Sequence, residues 1–205
     1  MEPVAISLAA IILAAGRSSR MGRPKLLLPW GETSVIGHLL GQWKQLGALQ
    51  IGVVCAASDV AINAELDRLQ FPAAQRITNS EPERGMFSSI RCAAAWGGWD
   101  KEITHWAIVL GDQPHVRRET LQRVIEFSAV NSARVCQPKK AGHRYHPVII
   151  PRGVFERLQY TNAGDLKEFL QPVDAAYCEI EDPGLELDID RPEDYEKALL
   201  IARNT

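Results

Sequence analysis

The chain is poor in cysteine: Cys55, Cys92, Cys136 and Cys178 stand far apart and form no Cys-x-x-Cys pair. That spacing excludes a zinc ribbon and a thioredoxin-type redox motif, and leaves free thiols of a reducing compartment as the reading. An excess of charge of one sign is also missing, with 23 Lys and Arg against 25 Asp and Glu. No global field therefore favours nucleic acid or an anionic membrane, and neither is expected as a partner. No apolar stretch reaches the roughly 18 residues of a membrane span. Val4 to Ala15 is apolar, but it has no basic segment before it and runs straight into a Gly/Arg-rich loop, so it reads as a buried first strand rather than a signal peptide. A cytoplasmic location follows as the expectation. Neither Gly-x-x-x-x-Gly-Lys-[Ser/Thr] nor Gly-x-Gly-x-x-Gly occurs, which disfavours a hydrolytic P-loop enzyme and an NAD(P)-dependent oxidoreductase.

What is present is an ordinary globular composition, 46% hydrophobic and 23% charged, in 205 residues without repeats, low-complexity tracts or a Gly/Ser/Pro linker. A single domain over residues 1–205 is expected, large enough to bury a core without disulfides or structural metal. Apolar runs alternate with amphipathic segments, which predicts a mostly parallel sheet covered by helices on both faces, a three-layer α/β/α sandwich. The predicted strands are Leu8–Leu13, Ile51–Cys55, Gln75–Thr78, Trp106–Leu110, Ala133–Gln137, Pro147–Ile150 and Ala175–Ile180. Ser34–Leu46 has a Ser before its apolar-periodic stretch and Gly47 after it, the start and stop of a helix. Leu121, Val124, Ile125 and Ala129 form a second helical stripe, and Glu193–Ala202 a closing helix.

Ligands of such sheets bind beyond the carboxyl ends of the strands, and the unusual sequences fall there. Gly16 and Gly22 bracket Arg17-Ser-Ser-Arg-Met21, a loop whose backbone N–H groups can turn toward a polyphosphate while Arg17, Arg20 and Lys25 add positive charge. The same glycines also suit a plain solvated turn. Lys25 is the candidate for stabilising charge that grows on a leaving pyrophosphate. Leu110-Gly-Asp-Gln-Pro114 carries Asp112 to the end of a buried strand, where it reads either as a metal ligand or as the first residue of a turn. Leu187-Asp-Ile-Asp-Arg-Pro-Glu-Asp194 offers Asp188 and Asp190 on one side of an extended stretch. Asp190 also reads as the cap of the last helix, with Pro192 and Glu193 in its first turn. Mg²⁺ commonly takes one or two carboxylates and completes its shell with water and phosphate, so Asp112 and Asp190 would suffice if they meet.

Taken together, Leu13–Pro29, Gly85-Met-Phe-Ser-Ser-Ile90, Leu110–Pro114 and Asp188–Tyr195 resemble the MobA-like nucleotidyltransferases, and within them the molybdenum-cofactor cytidylyltransferase branch. The resemblance implies a Rossmann-like fold that binds a nucleoside triphosphate and Mg²⁺ and couples the nucleotide to a phosphorylated acceptor with release of pyrophosphate. It implies that Gly16, Arg17, Ser18, Arg20 and Lys25 hold the triphosphate and that Asp112 and Asp190 hold the metal. Leu13, Ala14, Ala15, Gly85 and Ser88 would line the nucleotide side. Leu-Ala-Ala-Gly resembles the cytidylyl branch, where the guanylyl branch has Leu-Ala-Gly-Gly, so Ala15 favours CTP over GTP. Arg144-Tyr-His-Pro-Val148 is similar to the family's acceptor-side segment, which makes Arg144, His146 and Asp188 acceptor candidates, though a lone His before Pro also reads as a packed loop residue. Asn162-Ala-Gly-Asp-Leu-Lys167 departs from the branch's Gly-Asp-x-Gly-Ala-Arg, and only Lys167 or Arg144 is at hand to supply the missing charge. A molybdoenzyme is a further partner the resemblance allows. Transfer of another nucleotide, a sugar-phosphate acceptor, and a non-catalytic cofactor carrier are the competing readings.

Overall fold

A computed structural model describes residues 5–16 and 20–203. Strand β1 (Leu8–Leu13) leads through a short hairpin, β2 (Pro29–Trp30) and β3 (Thr33–Ser34), into helix α1 (Val35–Gln45). Next come β4 (Gln50–Ala56), α2 (Val60–Arg68), β5 (Arg76–Asn79), α3 (Met86–Ala95), β6 (His105–Leu110) and α4 (Arg118–Val130). The chain continues as β7 (Val135–Lys140), β8 (His143–Arg144), β9 (Val148–Pro151), α5 (Arg152–Phe155), α6 (Leu166–Leu170), β10 (Ala175–Glu179) and α7 (Pro192–Arg203).

The main sheet runs β10-β7-β9-β6-β1-β4-β5, with β8 paired to β7. β1 lies between β4 and β6 and is parallel to both, whereas β9 is antiparallel to β6 and β7. Each predicted strand is present, β1 with the predicted bounds and the others with ends shifted by at most three residues. Burial on both faces explains the near-continuous apolar run of β1, since alternate side chains enter different cores. Leu8, Ala10 and Ile12 face Leu39 and Trp43 of α1, Leu121 and Val124 of α4 and Ala198 of α7. Ala9 and Ile11 face Ile90 and Ala93 of α3, Phe155 of α5 and Phe169 of α6. Helices on both faces of one mostly parallel sheet make the three-layer sandwich.

Local chemistry sets the element ends. The Ser34 hydroxyl accepts from the Gly37 N–H at 3.2 Å, and Gly47 takes φ +83° just past α1, so the predicted start and stop signals both operate. At α7 the reading of Asp190 as a cap gives way. Asp194 reaches back to accept from the Arg191 N–H at 3.0 Å, one position later than predicted, and the Asp190 carboxylate is engaged elsewhere.

Histidines contribute to a pH dependence of stability. His38, His105, His115 and His146 all have pKa values below the usual 6.5, in each case mainly because burial penalises the charged ring. The unfolded chain then binds more protons than the folded one below about pH 6.5, and stability is lost as pH falls through that value toward the lowered ones. A urea midpoint lower at pH 5 than at pH 7 is expected, each ring contributing up to about 1.4 kcal/mol per pH unit inside its window. A midpoint that is flat or rises on acidification would contradict this.

Candidate active site

The sheet order reverses at β1, whose carboxyl end therefore opens a crevice toward both β4 and β6. Ala14 continues the ladder, donating its N–H to the Val54 carbonyl at 2.9 Å, and the chain then leaves the sheet at Gly16. Arg17 and Ser18 lie outside the described residues. Opposite this exit, β6 ends at Leu110, and Gly111 passes so close to β1 that an added Cβ would meet the Leu13 carbonyl oxygen at 2.6 Å and Leu26 Cδ2 at 2.8 Å. Gly111→Ala should accordingly cost about 1–3 kcal/mol by overpacking against backbone, read as a lower urea midpoint. An unchanged midpoint would show that the two loops can part without cost.

That close approach sets Asp112 beside the β1 loop. Lys25 Nζ stands 2.6 Å from Asp112 Oδ2 and 3.4 Å from Asp190 Oδ1. Arg20 completes the group, its guanidinium 2.9 Å from Asp190 Oδ2. Lys25 and Asp112 are largely buried, at 14% and 19% side-chain exposure, while Arg20 is 65% exposed. Two carboxylates from distant parts of the chain thus converge on one positive charge.

Asp188 belongs to this side of the molecule. Gln113 Nε2 donates to Asp188 Oδ1 at 2.9 Å, and partial desolvation, followed by the Asp112 charge, pushes the Asp188 carboxyl above the usual range. It is not among the residues that line the cleft shared by Arg144 and His146. The return of the chain from β10 is pinned by Asp182, buried, which accepts from the Arg117 and Gly184 N–H groups and the Thr120 hydroxyl. His115 adds to it through Nε2, within 3.1 Å of both the Gly184 and Leu187 carbonyls.

Two clefts flank the start of α3. The first, about 420 Å³, is lined by Leu13, Ala15, Gly16, Gly85, Ser89 and Gly111, among others. Gly85 has φ +87°, a conformation that favours glycine and sharply redirects the chain into α3. Ser88, expected on this side, instead donates to the Glu81 and Gly85 carbonyls and borders a different groove with Arg84 and Arg91. Helical geometry gives the reason: Ser89, one residue on, is rotated by about 100° and takes the place facing β1. The second cleft, about 540 Å³, holds Arg144, His146, Asp165 and Lys167, so two predicted acceptor residues and the departing Lys167 do share one surface. Met86 lines both clefts. His146 is fixed through Nδ1 to the Ile108 carbonyl at 3.2 Å, and burial keeps its ring neutral near pH 7.

Among the described residues no group of three or more His, Cys, Asp or Glu side chains is arranged to hold a metal. The Asp112 and Asp190 pair nonetheless suits a hard divalent cation. Both are oxygen donors, both already surround a cation supplied by the chain, and Mg²⁺ needs few protein ligands.

The sequence profile of the MobA-like NTP transferase domain matches residues 10–177, from β1 into β10. The chain belongs to that family. As a MobA-like NTP transferase it is 25% identical to the molybdenum cofactor cytidylyltransferase of Escherichia coli K12, across 90% of this chain and 92% of that protein. A 32% identity over 121 residues links it to a Bacillus cereus G9842 protein named probable molybdenum cofactor guanylyltransferase, covering 58% of this chain and 55% of the relative. The crystal structure of Rv0371c from Mycobacterium tuberculosis H37Rv superposes with a TM-score of 0.71 at 28% identity, over 96% of this chain and 99% of that one. Rv0371c has also been solved in complex with manganese, at a TM-score of 0.67 and 25% identity over 95% and 98% of the two chains. The MobA-like chain is accordingly a nucleotidyltransferase of Rossmann-like fold.

Gln113, Ser89 and Met86 went unnoticed in the sequence as site residues. Gln113 lies within Leu110–Pro114, but no local signal marks a Gln as a partner of a residue 75 positions away. The phase of α3 would have favoured Ser89, since Ser89, Ile90 and Ala93 fall on one buried face.

Proposed function

We propose that this nucleotidyltransferase moves CMP from CTP to a phosphorylated acceptor of the molybdopterin type, releasing pyrophosphate. The observation that carries the proposal is the convergence of Asp112 and Asp190 on Lys25 beside the β1 cleft. An acceptor phosphate oxygen attacks the α-phosphorus in line, the bond from that phosphorus to the bridging oxygen breaks, and the pair of electrons leaves with pyrophosphate. Because the attacking phosphate is already ionised near neutral pH, the reaction needs little proton transfer, and positioning and charge neutralisation carry the rate. This agrees with a site built of cations and carboxylates.

Lys25 would stabilise the charge growing on the leaving pyrophosphate, and the exposed Arg20 would swing from Asp190 to the outer phosphates. Asp112 and Asp190 would hold Mg²⁺, which neutralises phosphate charge when bound. That the similar Rv0371c has been solved in complex with manganese supports use of a divalent ion. In the second cleft Arg144 and Lys167 would attract the acceptor phosphate, and Met86 would bring the two substrates edge to edge. Ala15 and the E. coli relative support CTP.

Incubating the chain with Mg²⁺, each of the four NTPs in turn and either a molybdopterin-type or a sugar-phosphate acceptor, and measuring pyrophosphate, tests the reading. Release confined to CTP with the pterin acceptor is expected. Preference for GTP would move the chain to guanylyl transfer, preference for a sugar phosphate would overturn the acceptor, and no release with any pair would sink the transferase reading.

A further inference from the structure

Asp190 sits on a stretch that no sheet ladder holds. After β10 the chain makes one 3-10 turn at Pro183–Glu186 and reaches α7 without strand pairing, so its register against the Asp112 loop depends on individual bonds. Ile189, its side chain 1% exposed, donates its N–H to the Asp112 carbonyl at 3.1 Å. Gln113 makes the neighbouring link, its amide 2.9 Å from Asp188 Oδ1, and the residue is only 8% exposed. A buried amide fixed on one carboxylate is an anchor rather than a mobile surface contact. The two bonds lace residues 112 and 113 to residues 188 and 189, and Asp190 is the next residue along.

We infer that Gln113 is a positioning residue that, through Asp188, sets where Asp190 stands relative to Asp112 and thereby the affinity of that pair for a divalent cation. The inference rests on the reading of Asp112 and Asp190 as the metal pair. Two oxygens from separate loops serve one ion only if both loops are held to a fraction of an ångström, and such outer partners are commonly worth 10- to 100-fold in metal affinity. Asp188 is exposed as a residue but meets Gln113 through a partly buried oxygen, and what Gln113 needs from it is an acceptor oxygen, which an asparagine also offers.

The test titrates Mn²⁺ into the full chain with a saturating non-hydrolysable CTP analogue, following free Mn²⁺ by electron paramagnetic resonance. Asp112→Asn serves as the control and should abolish the tight site. Gln113→Leu and Asp188→Ala should each weaken Mn²⁺ binding by about 10-fold or more, with cooperative urea unfolding retained in each. Asp188→Asn should restore affinity to within about threefold of the parent, the cost of one exposed charge several ångströms away. Gln113→Leu or Asp188→Ala, folded yet binding as the parent does, would overturn the proposal. So would Asp188→Asn as weak as Asp188→Ala, which would make the Asp188 charge a direct ligand. If instead Asp112→Asn keeps the parental affinity, the metal pair itself is wrong, a failure distinct from that of the anchor. Should Gln113→Leu not fold, Asp188→Ala and Asp188→Asn decide the matter alone.

Discussion

Asp112→Asn is expected to reduce pyrophosphate release by about 10³-fold or more while the chain still unfolds cooperatively in urea. The substitution keeps side-chain volume and leaves the backbone carbonyl that accepts from Ile189 in place, so the loop should keep its course. What it removes is a full negative charge at the point where Lys25 and Asp190 meet. A catalytic arrangement that works by charge neutralisation loses about 10²–10³-fold for one misplaced dipole, and more when a ligand to the metal is neutralised. The same variant separates an enzyme from a carrier. A protein that only ferries a cofactor to a molybdoenzyme should keep that effect with Asn at this position, whereas a transferase should lose turnover. Activity within tenfold of the parent would remove Asp112 from the reaction.

The second large effect concerns Lys25, and it has two opposite signs. Lys25→Met should lower kcat/KM for the nucleotide by about 10²–10³-fold, since no other largely buried cation among the described residues is in place to meet the leaving group. Without nucleotide, the same substitution should tighten Mn²⁺ binding by about tenfold or more. Lys25 now neutralises both carboxylates from 2.6 and 3.4 Å, and a cation entering the pair must displace it. A unit charge at about 4 Å is worth about 4 kcal/mol at a surface-like dielectric before screening, so tenfold is a conservative floor. In the parent chain the nucleotide would relieve this competition by drawing the ammonium toward its phosphates, and nucleotide and metal should each raise the affinity for the other by the same factor. Calorimetric titration of Mn²⁺ with and without the CTP analogue measures this directly. Weaker Mn²⁺ binding in Lys25→Met without nucleotide would contradict the competition.

Much of the architecture was legible in the chain because its signals are local. β1 announces itself as six apolar residues buried from both sides, α1 carries its own Ser34 cap and Gly47 stop, and Leu110-Gly-Asp-Gln-Pro114 places a carboxylate at a strand end. These depend on periodicity, capping and backbone conformation, which act over a few residues. Ser88 lies off the β1 cleft for an equally local reason: choosing between adjacent serines requires the phase of α3, and the phase is fixed by which face packs on β1 and β5.

The sequence by itself determined the sandwich, the family and the presence of basic and acidic groups at the strand ends. Only the tertiary structure decided which of those groups meet. Lys25 finds Asp112 and Asp190 across 87 and 165 positions of chain, and Asp188 joins Gln113 instead of the Arg144 and His146 cleft. The cap of α7, assigned to Asp190 on spacing, fell to Asp194, which left Asp190 for Arg20 and Lys25. The physical reason is that a carboxylate carries the same chemistry wherever it lies in the sequence, and its role is set by the charge that folding brings within a few ångströms of it.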